Sequence, residues 1–271
     1  VSVHSQIKRL TLRDLQGLCE KQEPIVSLTA YDATQARLMD AAGVDLVLVG
    51  DSLGMVVLGY ETTVPVTMDD MIYHSRAVAR GLRRALLMVD MPFMSYTSVD
   101  QALGNAARLM QEGGAQMVKL EGDAQQVAVV AALAHQGVPV CAHLGLRPQS
   151  VHKLGGYRVQ GREATAARRM VEDAMALQDA GADLLLLECV PSALAAEIRT
   201  LARIPVIGIG AGPQCDGQIL VVQDLLGMTD HAPRFTKNFL AGQPDIQAAL
   251  AAYVQAVKSG AFPAPEHSFL A

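Results

Sequence analysis

Seven short apolar runs recur along the chain, most of them followed by a stretch of helical pattern, and no other feature narrows the fold so far. They span 24–32, 44–52, 84–92, 115–122, 138–145, 182–190 and 204–212, with a less regular eighth at 218–227. Helical patterns fill 33–43, 99–112, 123–136, 162–180 and 191–202. The runs are continuously apolar, which marks strands covered on both faces of a parallel sheet. Eight of them alternating with helices in 271 residues predict a (β/α)8 TIM barrel, with a doubly wound open sheet as the alternative. Thr11-Leu-Arg-Asp14 fits a helix N-cap with an acid three residues on, so 1–23 reads as an N-terminal helical extension. A peripheral C-terminal helix is expected near 244–258. No linker or low-complexity tract divides the chain, and a single domain over 1–271 is expected.

Composition narrows the partners. Apolar residues make up 51% of the chain and aromatics only 4%, so Ala, Val, Leu and Met form the core. A formal charge of −5 without any Lys/Arg block argues against nucleic acid and anionic membranes. Cys19, Cys141, Cys189 and Cys215 are scattered, which fits neither a zinc motif nor a disulfide framework and suggests a reducing, cytoplasmic setting. No apolar run approaches the ~20 residues of a membrane span. The opening VSVHSQIKRL lacks a signal-peptide core and an initiator Met, so trimming or processing is expected there.

Ionisable residues punctuate the strand ends. Asp51, Asp90, Glu121, His143 and Glu188 each follow an apolar run, and Lys119 precedes Glu121 by two, on the same face of an extended strand. In a parallel barrel these ends form one rim, where catalytic groups gather. Any one of them could instead be a solvated loop residue or the N-cap of the next helix. Three carboxylates on successive strands repel one another, and hard oxygen ligands point to Mg²⁺ or a similar cation at Asp51, Asp90 and Glu121. Glu188 ends a very apolar strand, where desolvation raises a carboxyl pKa and suits it to proton transfer. A structural ion pair is its alternative, as a satisfied rim histidine is for His143.

Gly50-x-Ser52-x-Gly54 also matches a nucleophile elbow, and Gly-Asp-Ser-Leu occurs in one esterase family. Such esterases place an Asp-x-x-His pair late in the chain, and TDHAP and PEHSF both lack that spacing. Ser52 is therefore expected at a substrate, with Gly50 and Gly54 giving backbone room around a metal. The run Gly208-Ile-Gly-Ala-Gly212 lacks the dinucleotide fingerprint and reads first as a tight turn.

TAYD, LVGDSLGM, VPVTMDDMIYH, VDMPFMSY, MVKLEG, CAHLGLRPQSV, GGYRVQGR, LLLLECVP, IPVIGIGAG, DGQIL, KNFL and EHSF follow one another between about 24 and 269. Together they resemble the ketopantoate hydroxymethyltransferase family. The resemblance implies a barrel enzyme of pantothenate synthesis that moves a one-carbon unit from 5,10-methylenetetrahydrofolate to 3-methyl-2-oxobutanoate. It implies one Mg²⁺ per subunit on Asp51, Asp90 and, as a further carboxylate, Glu121. It places Asp51, Ser52, Asp90, Lys119 and His143 at the substrate and makes Glu188 the proton acceptor. It also implies a homo-oligomer, commonly a decamer. Arg158 stands where a Lys is expected. Two rival readings are a Mg²⁺-dependent keto-acid lyase or mutase of the isocitrate lyase type, and a non-catalytic keto-acid-binding barrel. The Lys-Lys-Cys-Gly-His block of the lyases is missing.

Overall fold

Residues 8–270 are described by a computed structural model; the start of the expected N-terminal extension, residues 1–7, lies outside the described residues. Eight strands close into a barrel in chain order: β1 (Ile25–Thr29), β2 (Leu46–Val49), β3 (Leu86–Asp90), β4 (Met117–Glu121), β5 (Val140–Gly145), β6 (Leu184–Glu188), β7 (Val206–Ile209) and β8 (Gly217–Leu220). Every neighbouring pair is parallel, including β8 with β1. Closure removes the exposed edges of an open sheet, and it settles the choice between barrel and doubly wound sheet. The strands are buried throughout except at Gly145 and Glu188, as continuous apolar runs require.

Around the barrel lie α1 (Leu12–Glu20), α2 (Ala33–Ala42), α3 (Leu53–Val56), α4 (Met68–Gly81), α5 (Val99–Gln111), α6 (Val127–His135), α7 (Val151–Leu154), α8 (Ala164–Asp179), α9 (Ser192–Leu201), α10 (Val222–Leu225) and α11 (Ile246–Lys258). The expected N-terminal helix is α1. Its Thr11 hydroxyl accepts from the Asp14 N–H while the Asp14 carboxylate accepts from the Thr11 N–H, a reciprocal cap. Leu15 is fully buried, and the Leu10 N–H donates to the Arg84 carbonyl just before β3, so the extension packs at the base of the barrel. The C-terminal helix α11 lies outside β1 and α2. Its fully buried Tyr253 brings a hydroxyl to 3.0 Å from the Ser27 carbonyl of β1 and 3.1 Å from the Gln218 carbonyl of β8.

One connection differs from the sequence reading, and another is unusually short. Between β2 and β3 stands α4, whose 14 residues open with a second reciprocal cap, Thr67 with Asp70. Between β7 and β8 no helix intervenes: 210–216 return directly to the base of the barrel. The Asp216 N–H donates to the Val206 carbonyl, and the Asp216 carboxylate accepts the Val206 N–H, which pins the return. Gly208 makes it possible, since a Cβ there would sit 2.8 Å from the Cys215 sulfur. The eighth run likewise splits into a four-residue strand and the short α10. No helix among the described residues is long and apolar enough to cross a membrane.

Candidate active site

Strand register carries the polar side chains to one end of the barrel. Asp90 pairs with Lys119, Glu121 with His143, and Gly145 with Glu188, and these residues, Gly145 excepted, line a single cavity of about 550 Å³. Asp51 and Ser52 enter it from the turn after β2, where the Leu53 N–H closes onto the Gly50 carbonyl and α3 begins. All seven residues expected at the site are thus brought together. Asp51, Asp90, Lys119, Glu121 and His143 are at most 5% exposed, and the Glu188 side chain 17%.

Four carboxylates at these strand ends face a single lysine. Lys119 pairs with Asp90 Oδ1, and Asp90 Oδ2 accepts the Asp51 N–H at 3.0 Å. Burial alone would lower the Lys119 pKa, but Asp90, Glu121 and Asp51 together hold it above the usual lysine range, so it stays cationic. Burial and the neighbouring Asp90 push Asp51 up to about 7. Burial, then Asp51, hold Glu121 well above the ordinary carboxylate range. Glu188, raised by burial against the opposing pull of Lys119, reaches about 7. Burial, reinforced by Lys119, keeps His143 neutral. Its Nδ1 lies 3.6 Å from Glu121 Oε1 and its Nε2 3.4 Å from Glu188 Oε2, and neither nitrogen makes a hydrogen bond.

Three residues outside the sequence expectation hold this centre. Gln149, in the turn Pro148–Ser150 after β5, donates its backbone N–H to Glu121 Oε2 at 3.1 Å. Its side-chain Nε2 donates to Asp51 Oδ2 at 2.8 Å and to the Met91 carbonyl at 3.0 Å. Tyr96 donates to Gln149 Oε1 and accepts the Glu121 N–H at 3.3 Å. Tyr31 lies 2.8 Å, hydroxyl to hydroxyl, from Ser52. Neutral residues distant in sequence give no motif of their own; only Pro148, which starts a turn just beyond a strand end, hinted at Gln149.

Backbone geometry fixes the last carboxylate. Gly145 adopts φ +93°, and a Cβ there would lie 2.2 Å from the Glu188 carbonyl oxygen. That oxygen accepts the Leu146 N–H at 2.8 Å, so β5 turns away while clasping the end of β6. Gly50 is crowded too: a Cβ would stand 2.9 Å from the Ser52 hydroxyl and 3.4 Å from Asp90 Oδ2. Gly54, expected beside it, makes room for Val66 instead. The Gly208–Gly212 run meets Cys215, Phe235 and Ser192, so it is closed by protein atoms as a tight turn. Among the described residues, no group of three or more His, Cys, Asp or Glu side chains forms a ready-made metal cage.

A family model described as ketopantoate hydroxymethyltransferase matches residues 9–265. The chain is 62% identical over 261 residues to 3-methyl-2-oxobutanoate hydroxymethyltransferase of Alkalilimnicola ehrlichii, covering 96% of this chain and 94% of that protein. Among solved structures it is similar to phosphonopyruvate hydrolase, with a TM-score of 0.62 at 14% identity over 81% of this chain and 84% of the other. It is also similar to 2,3-dimethylmalate lyase, a PEP mutase/isocitrate lyase superfamily member, with a TM-score of 0.57 at 19% identity over 82% and 83%. At these identities the two structures share the fold.

Proposed function

The chain belongs to the ketopantoate hydroxymethyltransferase family, and we propose on that premise how its rim residues divide the work. The reaction consumes water and transfers a hydroxymethyl group from 5,10-methylenetetrahydrofolate to 3-methyl-2-oxobutanoate, giving 2-dehydropantoate and tetrahydrofolate, a step of pantothenate biosynthesis. The observation that carries the assignment of roles is the convergence of six ionisable groups on one cavity.

A Mg²⁺ ion fits the donor set. Asp51 and Asp90 are hard carboxylates at adjacent strand ends, and with Glu121 they are buried together around the Lys119 ammonium, an excess of negative charge that a divalent cation would balance. Mg²⁺ uses one or two protein carboxylates and takes the rest of its octahedron from substrate and water, so a closed protein cage is not required. Asp51 and Asp90 would hold it, with Glu121 as a further carboxylate on that side. When bound, the ion supplies Lewis-acid charge at the keto oxygen, which acidifies the adjacent C–H.

The protein's own groups do the rest. Lys119 offers fixed positive charge to the substrate carboxylate in a site otherwise rich in acids. Ser52, oriented by Tyr31, donates or accepts at the same substrate. His143, neutral and with both ring nitrogens unbonded, keeps one N–H and one lone pair for it. Glu188 accepts the C3 proton on a carboxylate oxygen, and its pKa near 7 suits a base at neutral pH. The carbon left behind attacks the folate-borne methylene as one methylene–nitrogen bond breaks, and water then displaces the remaining folate nitrogen, so that its oxygen becomes the product hydroxyl and tetrahydrofolate leaves with its N–H groups restored. Gln149 and Tyr96 keep Asp51 and Glu121 from drifting apart.

A homo-oligomer, the decamer of the family resemblance, is part of this reading, and a cytoplasmic location accompanies it. Exposed Tyr73 and Met94 would supply apolar contact area. The decisive assay follows 2-dehydropantoate formation from the keto acid and 5,10-methylenetetrahydrofolate, before and after chelation and again with Mg²⁺ restored. Turnover independent of folate, or undiminished by a chelator, would overturn the scheme.

A further inference from the structure

The chemistry above uses the cavity wall built from β2 to β6 and leaves the opposite wall without a task. There α10 carries Asp224, 7% exposed, whose side chain lines the same cavity. Its Oδ1 accepts the Thr229 hydroxyl at 2.6 Å, while Oδ2 accepts no hydrogen bond among the described residues. No cationic side chain among them pairs with it either. Oδ2 is not sealed off by protein atoms, so the carboxylate keeps acceptor capacity on the cavity wall. Donors from a ligand would fill that capacity.

Phe235 and Phe269, edge to face with ring centroids 6.3 Å apart, line the same cavity. Arg234, exposed on the same lining, has its Nε held by the Glu266 carbonyl at 3.1 Å. The same lining thus carries a buried carboxylate, two apolar rings and an exposed cation.

We infer that Asp224 anchors the pterin ring of the folate co-substrate through the N3–H and 2-amino donors of its 2-amino-4-oxo edge. These two N–H groups lie side by side, as the donors of a guanidinium do, and match the two oxygens of a carboxylate. Oδ1 keeps a lone pair for this while bonded to Thr229. Phe235 and Phe269 flank the ring, and Arg234 meets the anionic glutamate end. The inference rests on the proposed folate-dependent reaction and adds to it the subsite that recognises the carrier.

The test compares the unmodified protein with Asp224→Asn in tetrahydrofolate binding, in KM for 5,10-methylenetetrahydrofolate, and in folate-independent exchange of the keto acid's C3 proton. Replacing a charged acceptor should raise Kd and KM by about tenfold or more, and exchange should fall by less than that factor. A tetrahydrofolate analogue with hydrogen in place of the 2-amino group should bind the unmodified protein correspondingly more weakly, and lose little more on Asp224→Asn. Folate affinity unchanged by Asp224→Asn overturns the assignment. If that variant does not fold, the analogue decides on the unmodified protein, because binding as tight as tetrahydrofolate equally overturns it. An unmodified protein that uses no folate refutes the proposed reaction itself, a distinguishable result.

Discussion

Glu188→Gln should disable the enzyme and stabilise the protein at the same time, at alkaline pH only. The Glu188 carboxyl is raised from its usual 4.5 to about 7 by burial. Between those values the unfolded chain releases the proton while the native protein retains it. Stability therefore falls as pH rises through that window and stays reduced above it. The gap corresponds to roughly 3 kcal/mol when fully expressed. An amide of the same shape carries no charge at any pH, so it escapes this cost. For a chain of this size the variant should melt about 5–10 °C higher than the unmodified protein at pH 8, with little difference at pH 4.5. Loss of the base should meanwhile slow C3 proton exchange by roughly 10²–10⁴-fold. Melting in chelator, to exclude metal effects, and exchange followed by NMR in D2O read the two outcomes separately. A variant that melts lower at pH 8 and still exchanges its substrate would refute both the burial argument and the assignment of the base.

Other outcomes follow from neighbouring contacts. Gln149→Ala removes the amide that donates to Asp51 and should raise the Mg²⁺ concentration for half-maximal exchange by roughly 10–100-fold; an unchanged Mg²⁺ dependence would exclude Gln149 as a positioning residue. Asp51→Ala should weaken metal and keto-acid binding together in calorimetric titrations, and Ser52→Ala should be milder; the reverse order would revive the serine as the central group. Gly145→Ala places a methyl against the Glu188 carbonyl at φ +93°. It should cost about 1–3 kcal/mol of stability in urea melts and slow exchange, and a variant of full activity would show that β5 does not hold Glu188.

The sequence was most readable where physics is local and periodic. Apolar runs marked all eight strands, and period two along β4 put Lys119 and Glu121 on one face. The barrel's parallel order then forced the strand-end charges onto one rim. What escaped was either neutral or dependent on contacts remote in the chain. Gln149 reaches Asp51 across 98 positions, and no spacing rule relates them. The missing helix between β7 and β8 depends on Gly208 accommodating Cys215, a packing fact that glycine alone does not announce. α4 went unread as well, although Thr67 and Asp70 follow the same capping rule that identified α1.

The seam between β1 and β8 has a consequence for the order of assembly. β1 leaves the ribosome early, yet its partner begins at Gly217, and the Thr29 hydroxyl accepts the Val222 N–H across 193 positions. Tyr253 then bridges both strands from α11. Until β8 has emerged, β1 presents an unpaired edge of the kind that recruits other nascent chains. Tyr253 therefore works as the latch on a hoop. Because it arrives after β8, the nascent chain stays vulnerable to aggregation until α11 is made, and a truncation ahead of α11 should leave the hoop unfastened.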